Sequence, residues 1–425
     1  MYLQTIFVLA SMAAIMVAGA FFRKVPMALF LVLAAIVGAL VGGFGVPIRH
    51  LVEGTQVFLY LMLIVAAGML FMDVLKASGA LDALTRVIVQ GLHRSPTLLL
   101  ILLMVLIMLP AMLTGSAPAA VLSTGVLVAP ILIRLGIPKA ETTAILAMGS
   151  IFGLVAPPIN VPAMIIATGV YMPYEGFFWI LIALTFPLAI FSVLFLGRRY
   201  VKKVEVGAIL SELAAPPAKK GLLIHVPLFV VLVLMLAIRS FPGVVPDLGT
   251  PLVFIIGAVL GLFTGRRVEV GKVAKDSMRS ALDVLALFAA VGVLIQIMTL
   301  TGVRGLLVLA SISLGGALLY IAIAVSTTLL GGPLMPFGVA AVLGVPFVLA
   351  FTNLNSIVVT SAISLIIGVG CLVPPTAIGG LFAARVTGIE KYSEVLKKSL
   401  IPALATLAVG VGVLALAGPI GRIFF

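Results

Sequence analysis

Two short segments, Gly153-Leu-Val-Ala-Pro-Pro-Ile-Asn-Val-Pro162 and Gly370-Cys-Leu-Val-Pro-Pro-Thr-Ala-Ile-Gly-Gly380, interrupt strongly apolar runs with adjacent prolines. A proline pair removes two amide donors and clashes with the preceding turn, so it frees carbonyls upstream and starts a new helix downstream. In hydrocarbon such a break sets bare peptide dipoles at membrane depth: carbonyls for a cation, a half-helix N-terminus for an anion. Asn160 and Thr376 follow the breaks and add side-chain oxygens, while Thr114, Gly115 and Ser116 lie in another interruption, as do Gly331, Gly332 and Pro333. This is the chemistry of ion and solute binding. Sodium is expected at Thr114, Gly115, Ser116, Asn160, Gly332, Asn353, Asn355, Ser356 and Thr376, and an anionic substrate at Ser116, Ala117, Pro158, Asn160, Pro375 and Thr376. Neither breaks nor tips contain Asp, Glu, Lys, Arg or His, which favours sodium over the proton as coupling ion, since carbonyl, hydroxyl and amide oxygens hold sodium without titrating. Asp73 and Asp283 sit near predicted span ends and read as snorkelling or interfacial groups.

The elements that must position these residues follow from composition. The 425 residues are 63% hydrophobic and 9% charged, with a mean hydropathy of +1.37. A water-soluble fold carries roughly a quarter charged residues, so the chain reads as an all-α integral membrane protein. Its apolar runs are too long and unalternating for barrel strands. Cys371 stands alone and His50, His93 and His225 are scattered, which gives no disulfide framework and no metal-ligand spacing, hence no cofactor. No HExxH helix, Ser/His pair or paired carboxylate falls within the spans, so no enzyme is expected. The net charge of +13 suits cytoplasmic loops against anionic headgroups rather than nucleic acid.

Spans are expected at 3–22, 25–43, 56–75, 140–171, 174–196, 222–240, 250–264, 279–301, 354–384 and 399–418, about ten in all. Blocks 96–133 and 306–350 are interrupted midway and read as re-entrant hairpins. With the N-terminus outside, this arrangement puts 22 basic residues inside and only Arg49, Arg239, Arg304 and Arg422 outside, and a single crossing at 96–133 would reverse the loops between the hairpins. The first segment lacks a basic n-region and a cleavage signal, and reads as a retained span. Residues 1–196 and 222–425 then form two inverted-topology repeats, joined by a cytoplasmic linker at 197–221 whose part Val204 to Leu213 suits a short surface helix. Ser78-Gly79 recurs as Thr301-Gly302, 223 positions on, and Pro157-Pro158 as Pro374-Pro375, 217 on. Segment 79–94 is a second amphipathic surface helix.

The pattern Thr114-Gly-Ser116, Gly153 to Pro162, Gly169-Val-Tyr-Met-Pro-Tyr-Glu-Gly176 and Gly368-Val-Gly-Cys-Leu-Val-Pro-Pro375 resembles the large membrane subunit of TRAP transporters and its relatives in the ion transporter superfamily. The resemblance covers most of the chain. It implies an elevator, in which a transport domain carrying hairpins and broken helices slides past a scaffold domain with an organic acid and sodium. It also implies a small four-helix membrane subunit, an extracytoplasmic substrate-binding protein and a place in the cell inner membrane. The alternative it leaves is a carrier of the same superfamily working alone, sodium- or proton-coupled, and less so a channel. Two departures stand out: the first tip reads Gly-Ser-Ala-Pro where Gly-Ser-Ser is more common, and the second break lacks the usual following Asn.

Overall fold

A computed structural model describes residues 2–22, 25–201, 221–241 and 244–424. The surface helix expected within 204–213 lies outside the described residues. Among those described, nine helices are long and apolar enough to cross a membrane, and shorter apolar helices such as Met27–Val41 and Thr250–Thr264 complete the bundle.

The order of elements repeats. Leu59–Ala77 ends at Ser78 and left-handed Gly79, from which the amphipathic helix Ala80–Leu92 starts. In the second half Val270–Leu300 ends at Thr301 and left-handed Gly302, and Val303–Ser313 follows. The hairpin arms Pro96–Thr114 and Ala117–Arg134 turn at Gly115, where φ is 64°; in Ala317–Leu349 the turn is at Met335, where φ is 60°. Each returning arm carries one π-helical turn, Val121–Gly125 and Ala340–Gly344. The broken helices Lys139–Val155 with Val161–Gly169, and Ser356–Leu372 with Ile378–Thr387, flank the two proline pairs, both cis.

Some boundaries differ from expectation. The span expected at 279–301 begins nine residues earlier, at Val270. Lys272, Lys275 and Arg279 stay at the surface while Ser277 and Ala281 are buried, so one helix carries both a polar start and an apolar body. The second hairpin begins at Ala317 rather than 306, because Gly316 at φ 55° separates it from Val303–Ser313. Its turn falls at Met335, beyond Gly331 and Gly332.

Both halves contribute to two packed bodies. A frame forms from Tyr2–Phe21, Met27–Val41, Ile48–Gln56 and Leu59–Ala77 with Thr250–Thr264 and Val270–Leu300. At its centre a Cβ on Gly292 would lie 2.2 Å from the Gly54 carbonyl oxygen, a close approach that needs glycine on both helices. The second body gathers the hairpins, the broken helices, Phe177–Gly197 and Tyr392–Ala415. Polar contacts join segments that lie far apart in the sequence. Glu141, only 2% exposed, accepts from Lys398 at 2.7 Å and from the Tyr200 hydroxyl at 2.8 Å, with Arg199 at 3.6 Å. Asp82 faces Arg266 at 3.9 Å, and burial raises its carboxyl above the ordinary range while Arg266 opposes the shift. Arg304, assigned to the opposite side, donates to the Gly169 carbonyl at the far end of the broken helix that begins at Lys139.

Candidate functional site

The first break is held by one amide. Val155 ends the upstream half-helix, Ala156 is extended, and Asn160 spans the gap: its Nδ2 donates to the Val155 carbonyl at 2.8 Å and its Oδ1 caps the downstream half-helix by accepting from Ala163 N–H at 2.9 Å. The same Nδ2 donates to Ser364 Oγ at 2.8 Å, tying this break to the other broken helix. Asn160 is fully buried with both donors spent, and one lone pair of Oδ1 remains. Its main role in this arrangement is a clasp.

A tyrosine serves each break. The Tyr174 hydroxyl accepts from Asn160 N–H at 3.1 Å, and the Tyr392 hydroxyl donates to the Leu372 carbonyl at 2.6 Å. Tyr392 stands 218 positions after Tyr174, so the pair keeps the repeat spacing. Sequence reasoning missed both, together with Ser364. The signal was there in the spacing, but each tyrosine is remote in sequence from the groups it satisfies.

The second break is closed differently. The position matching Asn160 is Ala377, at φ 35°, and Ile378–Thr387 starts without a side-chain cap. Instead Thr376 Oγ1 donates to the Gly332 carbonyl at 2.6 Å. A Cβ on Gly332 would lie 2.2 Å from the Pro374 carbonyl oxygen, and one on Gly331 would lie 2.5 Å from Gly370 Cα. The two glycines thus seat the hairpin arm on the break.

At the first tip Thr114 Oγ1 donates to the Pro110 carbonyl at 2.7 Å and accepts from Ser116 N–H at 3.2 Å, while Ser116 Oγ accepts from Ala119 N–H at 3.3 Å. A Cβ on Gly115 would strike Val161, so tip and first break are in contact. Thr114, Ser116 and Ala117 also line a cavity of about 550 Å³ at the seam between the two bodies. Met335 from the second tip, Leu154 from the first break and Ile378 beyond the second join them. The frame supplies Asp73, Lys76, Ser280 and Asp283 to the facing wall, so these acids lie beside the tips rather than remote from them. A second cleft, of about 580 Å³, lies at the N-terminal end of the frame beside Tyr2, Phe44 and Thr301 and touches neither hairpin nor break.

The sodium set therefore divides. Thr114, Gly115, Ser116 and Asn160 converge at the first tip and break, and Gly332 and Thr376 at the second. Asn353 and Ser356 are exposed, and Asn355 Oδ1 accepts from Ile357 and Val358 N–H at 3.0 and 3.2 Å, capping Ser356–Val369. A helix of 14 residues rises about 21 Å, which separates this turn from the second break. Pro158 and Pro375 close the cis pairs.

The model of the DctM component of tripartite ATP-independent periplasmic transporters matches residues 9–418. The chain belongs to this family. No curated relative matches it. In architecture this DctM component is similar to the YdaH transporter of Alcanivorax borkumensis, with 17% identity over 86% of each chain and a TM-score of 0.59. It is also similar to MtrF of Neisseria gonorrhoeae, described with a class of antimetabolite efflux pumps, with 18% identity over 86% of this chain and 83% of that one and a TM-score of 0.56. At this identity the likeness extends to the fold. The family places this DctM component in a membrane, as the large component of a transport system.

Proposed function

We propose that the protein drives uptake of an organic acid across the cell inner membrane by sodium symport, as the large subunit of a TRAP-type system with its N-terminus outside. The observation that carries this reading is the seam cavity, where elements from both halves present hydroxyls and interrupted backbone to one shared volume. The carboxylate lies against Ser116, Ala117 and the N-terminal end of Ala117–Arg134, whose dipole favours negative charge. Sodium takes the hydroxyls of Thr114 and Ser116 and the remaining Asn160 lone pair in the first half, and Thr376 with the Gly332 region in the second. Sodium and acid together hold tips and breaks in one rigid unit, which is the differential interaction a coupled carrier needs.

In this reading the frame is the scaffold domain and the second body the transport domain of an elevator, and the halves are inverted repeats meeting at the linker 197–221. A separate small four-helix subunit packs on the frame, and an extracytoplasmic binding protein delivers the acid. The test is uptake into proteoliposomes of the complete system. Accumulation of labelled organic acids under an inward sodium gradient is expected, and equal accumulation under a pH gradient without sodium would remove the coupling.

A further inference from the structure

The two walls that the frame offers to a travelling site are electrostatically unlike. The seam cavity meets Asp73, Lys76 and Asp283. Through the 223-position correspondence set by Ser78-Gly79 and Thr301-Gly302, Asp73 matches Gln296, Lys76 matches Thr299 and Asp283 matches Tyr60. The mirror wall, at the other end of the frame, is therefore neutral at all three positions. The walls of the moving body differ from the frame in the same respect: Thr114, Ser116, Ser123, Met335 and Ile378 bring hydroxyls and apolar groups to the cavity and no charge. Lys76 reaches across to the Leu122 carbonyl at 3.5 Å, on the returning hairpin arm, so its ammonium lies at the edge nearest the tip.

We infer that Asp73 and Asp283 form a release wall: a carboxylate taken up opposite neutral Gln296 and Tyr60 is weakened when it arrives opposite two acids, with Lys76 tempering the repulsion. This deepens the proposed function and rests on its carboxylate and moving-site reading. At about 8 Å, one carboxylate opposing another weakens binding roughly twofold in water and thirtyfold in a protein-surface dielectric. The acids set the inner affinity, and with it the rate of unloading. The overall gradient remains fixed by sodium, because coupling is thermodynamic and a wall touches one state alone.

The wall is readable without knowing the substrate. Ser123→Cys in the full chain places a thiol on the cavity lining, and native Cys371 is buried and silent. The rates of modification by cationic trimethylammonioethyl and anionic sulfonatoethyl methanethiosulfonate are compared as a ratio, which cancels changes in thiol reactivity. Asp73→Asn and Asp283→Asn each lower the cation-to-anion ratio threefold or more, and Lys76→Met raises it. A ratio unmoved by either Asn substitution overturns the proposal. In counterflow with succinate, Asp283→Asn lowers the half-saturation on the cavity side at least threefold and leaves the opposite side unchanged; equal shifts on both sides also overturn it. Wild-type vesicles that carry none of a panel of mono- and dicarboxylates overturn the substrate reading instead, a failure that the reactivity ratio tells apart.

Discussion

Replacing Asn160 by Ala removes three hydrogen bonds at one stroke, to the Val155 carbonyl, Ser364 Oγ and Ala163 N–H. Buried bonds between membrane helices are worth about 0.6 kcal/mol on average, which bounds the loss from below at about 2 kcal/mol. Stranding buried partners costs about 1–3 kcal/mol each, and a lost N-cap alone about 1 kcal/mol, so a loss near 4 kcal/mol is reasonable. With an unfolding entropy of about 2.1 cal/mol/K per residue, the chain of 425 residues has a slope near 0.9 kcal/mol/K, and the apparent Tm falls by roughly 2–5 °C. The assay is thermal unfolding of the purified protein in detergent, with Asn160→Asp as partner. Asp keeps the cap oxygen and loses both donors, so it should retain the Ala163 bond while Ala retains none. An Ala variant melting with the wild type would refute the clasp and leave Asn160 free to serve as an ion ligand alone.

Tyr392→Phe strands the Leu372 carbonyl and should cost about 1 kcal/mol, read as a drop of about 1 °C in the same assay, with Tyr174→Phe similar. Met335→Gly should raise stability by about 1 kcal/mol or more, because φ 60° with ψ 163° is a region that essentially only glycine occupies without strain. A lower Tm for that variant would show that the Met335 side chain contributes more than its backbone loses. Gly292→Ala drives a methyl to within 2.2 Å of the Gly54 carbonyl oxygen and should disrupt the frame, whereas Gly91→Ala, with open space around it, should be silent. For Glu141→Gln and Lys398→Met, a double-mutant cycle should return a coupling of about 1–3 kcal/mol, since one partner is buried; additivity would mean that the pair contributes nothing.

The breaks and the hairpins were legible in the sequence because they depend on local terms. Adjacent prolines cannot continue a helix, and basic residues orient short loops. What stayed hidden depends on groups distant in the chain. Asn160 read as a ligand because it follows Pro158; what the sequence did not show is that it also clasps Val155 behind it and Ser364 two hundred residues away. Gly331 and Gly332 looked like a tip, but the backbone of Gly370 and Pro374 makes them a seat. The Asn353 to Ser356 cluster read equally as a polar patch at depth or as an interfacial turn, and it is a helix start, because Asn355 Oδ1 accepts from two amides of its own turn. The Asn missing from the second break did carry information: with Ala377 in its place, closure falls to Thr376 and Tyr392. Asp73 lies near the end of its helix as expected, but Asp283 stands well inside Val270–Leu300 because that helix begins nine residues early, and only the packing of the two bodies brings both to the cavity wall.

The account turns on the site riding on one body past the other, and a distance between the bodies tests that most directly. Val259 on the frame and Leu404 on the second body are both exposed, at 48% and 53%, and accept spin labels, with Val259 and Leu33 as a pair within the frame. Pulsed electron spin resonance in liposomes should show two populations for the first pair, whose balance shifts when sodium and a transported acid are added, and one fixed distance for the control. A single distance for the first pair, unmoved by sodium and acid together, would contradict the moving site.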